Sequence, residues 1–561
     1  MRIKRYFVTI DGRWGPRQVH YRRCGDGPAL LLLHQSPQSS AEYVSLMEHW
    51  GESFTVIAPD HPGYGISDPL GDPTANKEEF AVALAEFMNS IGLESAAVYG
   101  FHTGAGMAVA LAARYPERVS CLVANGFVVF TDRERENFLA NYLPPFRPAW
   151  DGSHLAWLWV RNRDQQIFFP WYDQTLSARM DRSMPDPEYL NEAVIEFLRA
   201  GDNYRVAYAA AFRYRGDLVL RYLRVPTLIT ATAQDPLRDH LDRIGRTSEQ
   251  VEVRPGDSFE ETLEMALEFL KRHPGADAPE VQTTCAVPGN LWNQMVDVRG
   301  GQLRVQCNLE ADGLPVLIQH GAGGAAETVK SVATAMQSRR PVIVVELPGH
   351  GESDNTHPDE AVTVARYREA LTDALDGLGV DQVDVYGQWG GGLVVLDLAR
   401  THAGRVQSLA ISGLQYLDGN EPQSLLASYA PAIVPAWHGG HLMETWHMVR
   451  DQSLYWPWFH RSSENTIRAE PRIDAESVHT RFVAMLKAGS NWRHACLSFF
   501  QYPVRTQLAA LKAPILLCAA AWDPNRSHTQ AAARVVGACQ YRDLPDDEAD
   551  WATVLIEFFG Q

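Results

Sequence analysis

The 561-residue chain has no cluster of lysine and arginine, and its net charge at neutral pH is −18. Nucleic-acid phosphates and anionic lipid surfaces both need basic neutralisation, so neither is expected as a partner. Long apolar runs are also missing. No window approaches the ~20 apolar residues of a membrane-spanning helix. The opening MRIKRYFVTIDGRW carries basic residues without an apolar stretch of signal-peptide length behind them. A cytoplasmic protein is the expectation. The seven cysteines, scattered from Cys24 to Cys539 without CxxC spacing, fit neither a disulfide framework nor a zinc site. Core packing is their expected role, and no metal or cofactor is implied. What is present, 45% hydrophobic and 21% charged residues, describes an ordinary globular chain with ample core, long enough for two large domains. A small-molecule substrate or ligand is the expected partner.

The first half of the chain reads again in the second. PAWDGSHL begins at Pro148 and PAWHGGHL at Pro435, a displacement of 287 residues (435 less 148). At that displacement Trp159, Arg163, Asp164, Pro170 and Trp171 fall on Trp446, Arg450, Asp451, Pro457 and Trp458. AGDNYR from Ala200 matches AGSNWR from Ala488, and His34 matches His320 within a residue. Duplication explains this pattern, and two similar halves can pair as an intramolecular pseudo-dimer. The boundary is expected in HPGADAPE, His273 to Glu280, where Pro, Gly and acidic residues interrupt the apolar periodicity. The domains are then 1–275 and 286–561, with 276–285 as linker.

Each half alternates strand and helix in the manner of a doubly wound, mostly parallel sheet. PALLLLHQ, TVIAPD, LPVLIQHG and PVIVVE are short apolar runs suited to strands buried on both faces. HPGYGISDP and LPGHGESDN turn the chain sharply, and SAAVYG and VDVYG each enter a Gly-rich turn that opens a helix. This order resembles the α/β-hydrolase superfamily over nearly all of both halves. The implied fold class is α/β, with two tandem α/β-hydrolase-like domains, each carrying an inserted helical cap at about 130–215 and about 417–503.

The resemblance implies a G-x-nucleophile-x-G elbow that lifts one side chain above the sheet, beside backbone N–H groups that bind an oxyanion. Here Gly100-Phe101-His102-Thr103-Gly104 puts histidine at the nucleophile position, and Gly387-Gln388-Trp389-Gly390-Gly391 puts tryptophan there. The acid is implied at Asp235 in TATAQDP and Asp523 in CAAAWDP. Where the family places Gly-His, the halves read Gly256-Asp257 and Pro545-Asp546-Asp547. A serine–histidine relay needs a hydroxyl whose proton an imidazole takes, and both partners are missing.

An imidazole titrates near ~6.5, so it can serve as a base without a second activating group. Two readings of His102 stay open. In one, Asp235 or Asp257 orients it and the N–H groups of Thr103 and of Gln35 or Ser36 receive developing charge on a carbonyl, which suits non-standard hydrolysis or lyase-type proton abstraction. In the other, the elbow belongs to a catalytically inactive pseudo-hydrolase that binds a ligand or partner. Trp389 is neither base nor nucleophile, so the second domain is expected to be silent. The expected groups around its pocket are His320, Trp389, His441, Arg450 and Asp523. In the first cap, Trp150, His154, Trp159 and Arg163 are the candidate substrate contacts, although aromatic stripes and Arg-Asp pairs also serve as lid structure.

Overall fold

The computed structural model describes residues 2–282, 286–287, 289–358, 362–417, 421–537 and 539–560. The chain divides into two compact units, Met1–Arg147 with Trp157–Cys285, and Pro148–Ala156 with Ala286–Gln561. Of the anticipated linker, 283–285 lie outside the described residues, as do 418–420 of the second cap. Ala276 is tied to the first sheet. Its carbonyl accepts the Ala29 N–H at 2.8 Å, and its N–H reaches Ser95 O at 3.3 Å.

The first sheet contains β1 (Lys4–Gly12), β2 (Gly15–Cys24), β3 (Ala29–Leu33), β4 (Thr55–Pro59), β5 (Ala96–Phe101), β6 (Val119–Asn125), β7 (Thr227–Thr230) and β8 (Val251–Val253). Their spatial order is β1-β2-β4-β3-β5-β6-β7-β8. The pairs β1–β2 and β2–β4 are antiparallel, and the rest are parallel. The second sheet repeats this plan with β9 (Trp292–Val298), β10 (Gly301–Cys307), β11 (Val316–Gln319), β12 (Val342–Val345), β13 (Val383–Gln388), β14 (Val406–Ser412), β15 (Ile515–Ala520) and β16 (Cys539–Leu544). Its order, β9-β10-β12-β11-β13-β14-β15-β16, is the same topology. The duplication read from the sequence is therefore a duplication of fold.

Apolar content dictates which strands lie central. All five residues of β3, ALLLL, are buried, as helices covering both faces of a parallel sheet require. Burying each such leucine stabilises the fold by roughly 1.5–3 kcal/mol. The winding reverses between β3 and its neighbours β4 and β5, and ligands of open α/β sheets bind at such a switch point, beyond the carboxyl ends of the strands. The loops after β3 and β5 meet there. The cap helices Asp132–Asn141, Ser153–Ile167, Pro187–Ala200 and Tyr204–Arg213 lie between β6 and β7 in the chain. In the second repeat Glu421–Ser428, Gly440–Asp451, Ala475–Ala488 and Ser490–Gln501 lie between β14 and β15.

Candidate active site

β5 ends at Phe101 and the helix Thr103–Arg114 begins two residues later, so one residue must reverse the chain. His102 does so at φ 48° and ψ −108°, and Trp389 does so in the second domain at φ 51° and ψ −122°. Among the described residues these are the only non-glycine residues at positive φ. Such a conformation costs of order 1–3 kcal/mol and persists only where the surroundings impose it. Here they do. A Cβ on Gly104 would lie 1.9 Å from Leu33 O, and one on Gly100 would lie 2.4 Å from Gly104 O, so the helix seats directly on the sheet.

The elbow aims His102 at the loop that follows β7. Its Nε2 lies 2.7 Å from Asp235 Oδ2, and the Leu237 N–H donates to Asp235 Oδ1 at 2.8 Å. Burial pushes the Asp235 carboxyl up, but the facing imidazole and the Leu237 N–H outweigh it and hold the carboxyl below its usual range. An ionised carboxylate only accepts hydrogen bonds, so Nε2 carries the proton. In the neutral form of the ring Nδ1 then keeps a lone pair. The ring stacks on Phe101 with centroids 4.0 Å apart, and about a quarter of the side chain is exposed.

A cavity of about 360 Å³ opens at this dyad. Gln35, Ser36 and Thr103 line it, as do Phe101, Tyr142 and Phe212. Thr103 opens a helix, so its N–H has no intrahelical acceptor and can face a developing oxyanion. Gln35 cannot serve in the same way. Its N–H donates to Glu42 Oε1 at 2.8 Å and its side-chain amide to Glu42 Oε2 at 3.0 Å. Ser36 is the remaining candidate of that loop.

Several residues expected from the sequence stand elsewhere. Asp257 is exposed, with its N–H bonded to Glu261, and does not line the cavity. Trp159 is buried as core, whereas Trp150 is 67% exposed. Arg163 is half-buried and outside the lining. His154 belongs to the second compact unit, where its Nε2 lies 3.3 Å from His479 Nδ1 and its ring meets Trp446 edge-on. Burial pushes its pKa down to about 4, so it is a neutral packing residue.

In the second domain Trp389 Nε1–H donates to Asp523 Oδ2 at 3.3 Å. Among the described residues no cation faces it, and burial raises the Asp523 carboxyl to about 6, against the Asn525 N–H and the indole N–H. A second cavity, of about 290 Å³, is lined by Trp389, Trp456, Trp492, Arg472 and Arg481. His320 is buried and accepts the Leu347 N–H, His441 accepts the Ala436 N–H within the cap, and Arg450 donates to Trp150 O. None of the three lines that cavity.

Lys77, which sequence reasoning passed over, forms part of the first cavity wall although only 1% of it is exposed. Its Nζ donates to Thr103 O at 2.7 Å. The available signal was the repeat itself, which sets Lys77 opposite Val364.

The alpha/beta hydrolase fold family matches residues 28–253 and 315–440. The 2-(acetamidomethylene)succinate hydrolase of Mesorhizobium japonicum is 32% identical over 130 residues, 23% of this chain and 46% of that protein. Haloalkane dehalogenase 2 of Mycobacterium tuberculosis is 29% identical over 119 residues, 21% of this chain and 40% of that protein. The chain thus spans less than half the length of these curated relatives. An enol-lactonase structure from Burkholderia xenovorans is 14% identical, with a TM-score of 0.38, and covers 48% of this chain and 100% of its own. Among the described residues no group of acidic, histidine and cysteine side chains is arranged to hold a metal, and no helix is long and apolar enough to cross a membrane. Two repeated sheets, two elbows and two matched stretches together place the chain in the alpha/beta hydrolase fold family.

Proposed function

We propose that the first domain is an enzyme in which His102 acts as a general base, oriented by Asp235, on a small carbonyl compound. The carrying observation is the 2.7 Å contact between Nε2 and Asp235 Oδ2, made by a residue held at a strained elbow over a cavity of about 360 Å³. The protonated Nε2 leaves Nδ1 to take a proton from a carbon beside the carbonyl or from an attacking water. Thr103 N–H and the Ser36 loop receive the charge that builds on oxygen. Asp235 then stabilises the imidazolium. Positioned general bases of this kind contribute about 10²–10⁴-fold.

The second domain supports a different role. An indole takes no proton at neutral pH, so Trp389 leaves that cavity to bind without bond-breaking. The test is turnover and α-proton exchange in D₂O on a panel of aryl ketones and aryl esters. His102→Gln should lower any rate found by about 10²-fold or more with an unchanged melting curve. Equal rates in both proteins would refute the assignment.

A further inference from the structure

Lys77 is the first residue of the helix Lys77–Ser90, capped by Asn76. The second domain has a helix of the same length, Val364–Gly377, capped by Thr363, and Val364 takes the position of Lys77. Val364 is 4% exposed and packs in the apolar core. The fold thus accepts a plain hydrocarbon at this position, and the amine of the first domain serves no shared structural need. Burying a charged ammonium without a partner is costly. Among the described residues Lys77 nevertheless has no carboxylate within ion-pairing distance, and its one hydrogen bond goes to the Thr103 carbonyl. That carbonyl belongs to the residue following the proposed base.

We propose that Lys77 is the counter-charge for an anionic group of the substrate, so that the first cavity takes small carboxylate-bearing carbonyl compounds with an apolar or aromatic body. This rests on the first cavity being the working site. Phe101, Phe130, Tyr142, Tyr208 and Phe212 supply the apolar wall, and Lys77 is the buried amine among them. The titratable groups around Nζ are Glu78 on its own helix, His34 and His61 from the loops after β3 and β4, Tyr214 from the cap, and His102 across the cavity. Burial drives the Lys77 amine well below its usual range, with Glu78 opposing weakly, and keeps His34 and His61 neutral. Burial thus favours the uncharged form of this amine. A carboxylate entering with one proton from solvent converts it to an ammonium–carboxylate pair, and no bond other than N–H forms.

Calorimetric titration of the full chain with benzoate and with benzamide, in two buffers of different ionisation heat, tests this. Benzoate should bind about tenfold or more tightly than its neutral isostere. Its binding should be accompanied by proton uptake, and its affinity should weaken as pH rises. Lys77→Met, and Lys77→Val as the residue already present in the second domain, should abolish both the preference and the proton uptake while leaving benzamide binding unchanged. His102→Gln should keep the preference, so loss of turnover in that variant reports on the base and not on Lys77. The proposal is overturned if benzoate shows no binding or no advantage in the unaltered chain. It is equally overturned if Lys77→Met keeps the preference, or if His102→Gln alone removes it.

Discussion

His102 and Trp389 share one backbone conformation, φ 48° and 51°, at the same strand–helix junction of two copies of one sheet, yet they present opposite chemistries to their acids. His102 faces a carboxylate that it keeps ionised, and Trp389 faces one that burial keeps largely protonated in weakly acidic solution. The elbow is a property of the fold, and the residue placed on it decides what the domain can do.

Gly126, at φ 68°, forms the floor under the imidazole. A Cβ there would lie 2.2 Å from His102 Cδ2 and 3.2 Å from Asp235 Oδ2. Gly126→Ala should therefore displace the ring and break the dyad. Activity should fall toward that of His102→Gln, while stability drops by about 1–3 kcal/mol for a side chain at positive φ. Steady-state rates beside a melting curve check this, and full activity would show that the dyad tolerates displacement.

Serine-directed fluorophosphonates should leave the protein unlabelled, because neither elbow offers an activated hydroxyl. Mass spectrometry of the treated protein is the check. Stoichiometric labelling of Ser36 in the first cavity, lost on denaturation, would make that hydroxyl a nucleophile and displace His102 from its proposed role.

The two acids should respond to amidation with opposite signs. Asp523 binds its proton more tightly folded than unfolded, about 6 against 3.8, so stability falls as pH rises through that window and the deficit persists above it. Asp523→Asn should stabilise the second domain at pH 7 by up to roughly 3 kcal/mol, with the gain vanishing below pH ~4. Asp235 is held below its usual range, so its contribution is present above the ordinary carboxylate range and lost as pH falls through the folded value. Asp235→Asn should destabilise the first domain at pH 7. Denaturant unfolding at two pH values reads both, and shifts of the same sign would contradict the contrast drawn between the acids.

The fold and the elbow were legible in the sequence because short-range chemistry imposes them, whereas the acid stayed open between Asp235 and Asp257, and only tertiary packing brings Asp235, 133 residues away, to His102. Buried apolar runs mark the strands, and Gly100 and Gly104 mark the elbow because only glycine fits where the helix meets the sheet. The cap was less legible. Trp159 and Trp446 repeat between the halves because both are core, 2% and 0% exposed, and helical spacing alone does not say which side of a helix meets the cavity. Asp257 follows a strand end in the same way as a catalytic residue would, but its loop bonds back to Glu261. Lys77 reads in one dimension as a solvated helix charge, and only tertiary packing closes over it.

The central claim is that bond-breaking belongs to the first elbow and not to the second. Turnover by His102→Gln and Trp389→Ala, measured side by side on whichever aryl ketone or ester the unaltered chain converts, tests it most directly. The first substitution should remove about 10²-fold or more of kcat/KM with the fold intact, while the second should leave kcat/KM within about tenfold. An inactive, folded Trp389→Ala beside a fully active His102→Gln would contradict the account and move the chemistry into the second domain.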